Sequence, residues 1–181
     1  LNMLAELKIA EVYYLSEKYP EAAMAYLDFL KQHPNDRRNN DVLYRLGLSY
    51  YQQILSADRD QSLTRKTIAT FEELQKRFPD YPQMDEVRRL IQLCKNRLAE
   101  HETYVGKFYL KKELYQAAIK RLQSVLSSYP GFRNRDEALF FLGKAYLDSG
   151  EKDHAEAIFA QLSDQYPASE YNRDASKLLT Q

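Results

Sequence analysis

Apolar and small side chains recur along this chain at the spacing of a helix face, in paired segments separated by turn residues. The pattern is clearest in residues 136–167. Leu139, Leu142, Gly143 and Tyr146 fall at i, i+3, i+4 and i+7, one face of a helix. Ala155, Phe159 and Leu162 follow at i, i+4 and i+7, one face of a second helix. Ser149-Gly150 supplies the turn between them, since Gly accepts a positive φ after a helix. Pro167 stops the second helix, because the residue before a proline avoids the α region. Three earlier stretches repeat the scheme. Residues 3–34 offer Ile9, Ala10, Tyr13, Ala22, Tyr26 and Pro34; residues 40–79 offer Leu46, Gly47, Tyr50, Phe71 and Pro79. Residues 99–130 offer Val105, Gly106, Tyr109, Ala118, Leu122 and Pro130. A Gly inside a helix costs about 1 kcal/mol relative to Ala. Its return at one register therefore predicts a partner helix that approaches closely there.

The small residue of each first helix precedes its helix-ending proline by 24 residues in three stretches and by 32 in the second. A fixed interval of this size marks stacked helical hairpins. The longer one marks an insertion, Ser56 to Ser62, between the helices of the second hairpin, with Asp60 or Ser62 placed to N-cap the helix beginning near Leu63. A second irregularity follows Pro79. Residues 85–112 contain no Pro and only Gly106, and Val87, Leu90, Ile91, Cys94, Leu98, Tyr104, Val105 and Phe108 approximate one helical stripe. They predict a single helix of about 28 residues, roughly 42 Å long. Ser169 is placed to cap a last short helix through Leu179. The expected organisation is an N-terminal half, 1–79, of two hairpins with the insertion near 56–62. A C-terminal half, 80–181, holds the long helix, two hairpins and the capping helix.

Leu-Gly and Tyr on a first helix, then Ala, an aromatic and Pro on a second, resemble the tetratricopeptide repeat (TPR) family over most of the chain. The resemblance implies an all-α, TPR-type α-solenoid of helical hairpins with one long connecting helix and a C-terminal capping helix. Three positions depart from the family pattern. Glu6 and Glu102 stand where an aromatic is usual, and Thr67 where Ala is usual. Repeats one and three are therefore expected to pack loosely at their outer ends.

Charge and composition narrow the function. Lys plus Arg and Asp plus Glu balance at 26 each, which argues against nucleic acid as the main partner. No apolar run reaches the 18 or so residues of a membrane span. The chain begins at Leu1 without a signal-like segment and reads as a mature or trimmed fragment, with any N-terminal anchor lying before it. His33, His101 and His154 are far apart, and the single Cys94 reads as a buried small residue, not as half of a metal pair with His101. Asp58 and Asp60 read as turn and cap residues. HExxH, CxxC, GxSxG and phosphate-loop motifs are missing, so no catalytic residue, metal or cofactor is expected.

Fifteen tyrosines remain. Tyr13, Tyr50, Tyr109 and Tyr146 share one register and are expected in the core. Tyr129 and Tyr166, before their prolines, are expected to pack between repeats. In TPR arrays the concave groove is lined one residue outside the core stripe of each first helix. That places Leu7, Glu11, Tyr14, Asp41, Tyr44, Leu48 and Tyr51 in the groove of the first half. Thr103, Lys107, Leu110, Glu137, Phe140, Lys144 and Leu147 fall in the second. The first set is aromatic and apolar, the second mixed with charge. An exposed Tyr and Leu patch suits a peptide dock; it equally suits burial by a preceding repeat or by the long helix.

The insertion with Asp58-Arg-Asp60, the helix running to Arg77-Phe-Pro79, the Lys95-Asn-Arg-Leu-Ala99 segment and the Ser128-Tyr-Pro130 ending resemble the BamD (ComL-type) outer-membrane assembly lipoproteins. This likeness implies a non-catalytic subunit of the β-barrel assembly machinery, lipid-anchored at the periplasmic face of the outer membrane in a Gram-negative bacterium. Membrane contact would come only through an N-terminal lipid outside this chain. Implied partners are a POTRA-containing barrel subunit, other assembly-machine lipoproteins and unfolded outer-membrane protein clients. By position, Leu7, Tyr14, Tyr44, Leu48 and Tyr51 would receive clients. Lys107, Arg133, Arg135, Glu137, Phe140 and Lys144 would contact the partner subunit. A periplasmic Tol-Pal-associated TPR protein and a generic peptide-binding TPR co-chaperone stay open. Neither carries the insertion, and the co-chaperones commonly use a basic carboxylate clamp, of which repeats one and two show no comparable cluster.

Overall fold

The computed structural model describes residues 2–180, and every regular element among them is helical. Helices α1 (Met3–Leu15) and α2 (Tyr19–Gln32) form the first hairpin, and α3 (Asn39–Tyr51) and α4 (Ser62–Arg77) the second. Helix α5 (Met84–Lys111) runs unbroken for 28 residues, as the stripe of apolar positions predicts. Its C-terminal part pairs with α6 (Tyr115–Ser128), and α7 (Arg135–Asp148) pairs with α8 (Lys152–Gln165). Helix α9 (Tyr171–Leu179) packs on α7 and α8. The class is all-α, built from TPR-type hairpins.

The chain divides into two compact units, Leu1–Arg97 and Leu98–Gln181. The division falls inside α5, whereas the sequence pattern suggested Pro79. The proline ends α4 but not the packing. The first part of α5 buries Val87, Leu90, Ile91 and Cys94, and Lys95 pairs with Glu72 of α4 at 3.1 Å.

The repeated glycines stand where helices meet. A Cβ on Gly47 would overlap the ring of Phe71; on Gly143 it would lie 2.5 Å from Phe159, and on Gly106 2.8 Å from Leu122. Phe71, Phe159 and Leu122 are all buried residues of the second helix of the same hairpin. The tyrosine register behaves differently from expectation. Tyr13, Tyr50, Tyr109 and Tyr146 are half-buried, with ring bodies packed on the core clusters. The Tyr146 hydroxyl is exposed enough to accept from Gln123 at 2.6 Å, while burial raises the phenol of Tyr50. A tyrosine keeps its polar end near water even in a core register.

The two glutamates that depart from the TPR pattern do not loosen the hairpins. Glu6 meets His33 at 2.9 Å and Glu102 meets Arg121 at 2.9 Å, so each carboxylate ties the first helix to the second. Thr67 is fully buried and returns its hydroxyl to the carbonyl of Leu63 at 2.9 Å.

Three of the four hairpin turns are the same motif. After α1, Glu17 N–H reaches the Tyr14 carbonyl and Lys18 N–H the Tyr13 carbonyl. Glu113 and Leu114 repeat this on Leu110 and Tyr109, and Gly150 and Glu151 on Leu147 and Tyr146. This crossed pair of bonds is a Schellman cap, which needs a left-handed residue. Gly150 supplies it at φ 88°, but Glu17 and Glu113 are forced to φ 58°. Glu113→Gly and Glu17→Gly are expected to raise stability by about 1 kcal/mol each, the left-handed strain of a residue with a Cβ. Urea unfolding midpoints check this, with Glu21→Gly inside α2 as the opposite-sign control.

The second hairpin replaces that turn with the insertion. Asp60 accepts the backbone N–H of Ser62 at 3.0 Å, while the N-cap position itself is Gln61. Gln61 is buried and donates to the carbonyls of Ser56 and Arg59, and accepts from Thr64. It closes the loop from within. At the far end, Glu170 occupies the N-cap of α9, and Ser169, one residue earlier, accepts the Tyr171 N–H at 3.3 Å.

A further regularity joins one repeat to the next. Five residues after each helix-ending proline stand Asn39, Met84, Arg135 and Asn172. Asn39 donates to the carbonyls of His33 and Pro34, both at 2.9 Å, and Asn172 donates likewise to Tyr166 and Pro167. Arg135 donates to Leu126 and Tyr129. These are the acceptor-rich ends of α2, α8 and α6, whose last carbonyls have no partner within the helix. Met84 at the equivalent place is buried without such a bond, and Tyr81 and Phe132, two residues after their prolines, fill the same corners with rings.

Candidate functional site

Each unit carries an open groove, and each collects some of the positions chosen from sequence. In the first unit a groove of about 430 Å³ is lined from α1 by Leu4, Leu7 and Lys8, and from α3 by Asp41, Tyr44 and Arg45, with Tyr81 at one edge. Leu7 and Tyr44 are thus brought together. Tyr14 joins them indirectly: its ring lies 5.5 Å under the Arg45 guanidinium and 5.5 Å from the ring of Tyr19. Leu48 and Tyr51 are half-buried further along α3 and do not line this groove.

The rings around Tyr44 are held in place. Tyr44 lies 5.4 Å from Tyr81 and 6.3 Å from Phe71, and the Tyr81 hydroxyl donates to Asp41 at 3.0 Å. Burial raises the phenols of Tyr26, to about 12, and of Tyr44. Burial, then the bond to Asp41, raises Tyr81 further. All three stay neutral at physiological pH and act as apolar surface with a polar tip. On the rim, the hydrogen bond from Lys8 and then its charge hold the Glu11 carboxyl below the usual range. The side-chain bond from Arg38 does the same, more strongly, for Asp36. Repeats one and two therefore do gather cations, Lys8, Arg38 and Arg45, although their sequence spacing gives no clamp-like cluster.

In the second unit a larger groove, about 710 Å³, is lined by Tyr104, Lys107 and Phe108 of α5, Tyr115 of α6, and Phe141 and Lys144 of α7. Lys107 pairs with Glu137 at 2.7 Å and stands 4.6 Å from the Phe141 ring. Lys144 pairs with Asp148 at 2.9 Å. Arg133 is well exposed and pairs with Glu100 at 2.8 Å.

Two residues chosen as partner contacts are structural. Phe140 is 8 % exposed, stacked on Tyr171 at 4.9 Å under the capping helix. Arg135 spends its guanidinium on the end of α6. Thr103, offered as a groove position, is buried as well, whereas Leu110, though largely buried, does line the second groove.

The long helix explains the main omission. Its buried positions step from Val87, Leu90, Ile91, Cys94 and Leu98 to Ala99, Thr103, Gly106 and Leu110. Tyr104 and Phe108, read as a continuation of the first stripe, are instead about half exposed, at 51 % and 49 %. The expected contrast between an apolar first groove and a charged second one does not hold, because these rings floor the second. The signal available was Tyr104, Lys107, Phe108 and Lys111 at i, i+3, i+4 and i+7, a face of mixed rings and cations. Arg45 was missed although it shares the face of Asp41 and Leu48. Cys94 is buried and its thiol is pushed up to about 12 by that burial, a packing residue and no nucleophile at neutral pH. Among the described residues no group of three or more His, Cys, Asp or Glu is placed to hold a metal ion, and no helix is long and apolar enough to cross a membrane.

Comparison with known proteins places this geometry. Residues 3–158 match the profile of the outer membrane lipoprotein family YfiO. A protein of Rickettsia prowazekii named outer membrane protein assembly factor BamD is 32 % identical over 175 residues, 97 % of this chain and 70 % of its own length. Similarly named proteins of Caulobacter vibrioides and Neisseria meningitidis serogroup A are each 29 % identical over 92 % of this chain, and 55 % and 66 % of their own lengths. The chain thus spans between 55 % and 70 % of the length of these relatives. Among solved structures, the crystal structure of MamA protein covers 90 % of both chains at 19 % identity and a TM-score of 0.34, a likeness too distant to bear on function.

Proposed function

The chain belongs to the outer membrane lipoprotein family YfiO, and from that premise we propose that it serves as a non-catalytic scaffold in the β-barrel assembly machinery. Its task there is to help outer-membrane proteins fold and insert. The observation that carries this reading is the family match over residues 3–158, which takes in every helix that lines the two grooves up to and including α7. The relatives named as outer membrane protein assembly factors support it over nearly the whole chain. In the full-length protein an N-terminal lipid holds the chain at the periplasmic face of the outer membrane.

The two grooves suit two kinds of contact. Leu7, Tyr14 and Tyr44 supply an apolar surface for an extended client segment, with Leu48 and Tyr51 further along the same helix. Lys107, Lys144, Glu137 and Arg133 supply the charged surface for the POTRA-bearing barrel subunit, and Tyr104, Phe108 and Phe141 add the rings that concentrate binding energy at an interface. Arg135 and Phe140 leave this set because each is committed to the fold.

Capture of a purified POTRA-domain fragment on immobilised protein tests the division. Arg133→Glu with Lys144→Glu is expected to weaken capture about tenfold, since reversing rim charges costs on the order of 1 kcal/mol or more. Tyr44→Ala is expected to leave it unchanged. Loss of capture in Tyr44→Ala, with an unaltered helical circular dichroism spectrum, overturns the assignment of the two grooves.

A further inference from the structure

Among the described residues, each charged side chain around the first groove has an ion-pair or hydrogen-bond partner except Arg45. Lys8 Nζ lies 2.8 Å from Glu11 Oε2, and Arg38 Nε 2.7 Å from Asp36 Oδ1. Asp41 accepts the Tyr81 hydroxyl at 3.0 Å. Arg45 is half-buried on α3, with the ring of Tyr14 5.5 Å from its guanidinium carbon and its charge felt at Glu11 and at the phenols of Tyr26, Tyr44 and Tyr81. Among the described residues no carboxylate lies within ion-pair distance of it and no oxygen accepts from it. A guanidinium has five N–H donors in its plane and no way to lose its charge. With one face on Tyr14, its donor edges are left for whatever occupies the groove.

We propose that Arg45 is the specificity residue of the first groove, binding the side-chain carboxylate of an Asp or Glu in an extended client segment while Leu7 and Tyr44 take a neighbouring apolar side chain. The inference rests on the reading of this groove as a client site. A planar guanidinium and a carboxylate meet by two parallel hydrogen bonds, the strongest polar contact available to such a surface. The alternative source of a carboxylate is a chain end. A chain-end clamp needs several uncommitted donors around both oxygens, and here Lys8 and Arg38 are already engaged by Glu11 and Asp36. A single uncommitted cation among the described residues of an open groove fits a side chain on a segment that passes through.

Fluorescence anisotropy with three peptides tests this. The first is the hexapeptide Ser-Tyr-Leu-Glu-Phe-Ser with an N-terminal fluorescein and a C-terminal amide. In the second Gln replaces Glu, and the third is that Gln peptide with a free carboxylate. The Glu amide is expected to bind the wild-type protein about tenfold tighter than the Gln amide, the ratio for a hydrogen-bonded charge pair. Arg45→Gln should reduce the Glu peptide to the level of the Gln peptide, and Arg45→Lys should restore part of the difference. A Glu preference that survives Arg45→Gln overturns the proposal, as does a free-acid Gln peptide that binds as tightly as the Glu amide. If the two amides bind equally and Tyr44→Ala weakens both, the inference about Arg45 falls while the client groove stands. If Tyr44→Ala changes neither, or no peptide binds, both fall.

Discussion

Asn39→Asp is expected to cost about 3 kcal/mol at neutral pH, although it changes only one amide nitrogen to oxygen. Asn39 is fully buried at the start of α3, and its Nδ2 donates to the carbonyls of His33 and Pro34, both at 2.9 Å. A carboxylate there has no proton to offer and faces two carbonyl oxygens in a fully buried place. The Oδ1 of Asn39 is itself buried without a hydrogen-bond partner, so no existing donor compensates the new charge. The pH dependence has a definite sign. The introduced carboxyl has a folded-state pKa raised above its unfolded value of about 3.9, by burial and by the facing carbonyls. Its penalty is therefore absent below the unfolded value, grows as pH rises towards the folded value, and is complete above it. Urea unfolding of variant and parent at pH 4.5 and 7.5 should show the gap widening with pH. Asn172→Asp, at the half-buried counterpart at the start of α9, should cost less. Equal stability of the Asn39→Asp variant and its parent at pH 7.5 removes the interlock as a source of stability.

Gly47→Ala is expected to destabilise the chain by about 2 kcal/mol, against the preference of an isolated helix. Alanine gains about 1 kcal/mol over glycine in a helix interior. Here its Cβ would overlap the ring of Phe71, which is fully buried and has no room to swing aside. Overpacking of this kind costs roughly 3 kcal/mol, the upper part of its usual range. The balance is loss. Gly143→Ala should behave similarly, with Phe159 as the obstacle, while Gly106→Ala should cost less because Leu122 can change rotamer. The shift in urea midpoint measures each, and Phe71→Leu in the Gly47→Ala background should recover part of the loss. A stabilising Gly47→Ala contradicts the close approach outright.

These two sites differ in how openly the sequence displays them. Gly106 and Gly143 stand 24 residues before a proline and Gly47, across the insertion, 32, and one chain suffices to expose that spacing. Of the residues five positions after each proline, Asn39, Arg135 and Asn172 bond the end of the preceding helix, whereas Met84 only fills the place. Asn recurs at only two of the four places, too few to mark the pattern before the carbonyls they meet are in place. Arg135 shows the consequence. As a residue it reads as a free surface cation; in the structure it ends α6. Phe140 reads as a groove residue from its register, yet α9 covers it, and only α9's return onto α7 decides that.

The turns separate the same way. Ser149-Gly150 announces a left-handed residue, whereas Glu17 and Glu113 adopt the same conformation with nothing in their side chains to forecast it. The cap is imposed by the crossed hydrogen bonds of the preceding helix end, and glutamate tolerates the strain.

Local pattern alone determined the number and length of the hairpins, the insertion, the unbroken 28-residue helix and the close helix contacts at three glycines. Each of these follows from periodicity and from what Gly and Pro do to a backbone. The family resemblance rested on the same residues, and the match over residues 3–158 agrees with it. Which side chains remain free to meet a partner was decided only in three dimensions. Freedom is a balance between a side chain and its neighbours: Arg45 is uncommitted because Glu11 and Asp36 have other cations, and Tyr104 and Phe108 are exposed because the buried face of α5 shifts by one position past Leu98. A sequence carries the residue types of such a balance, and only packing assigns the pairs.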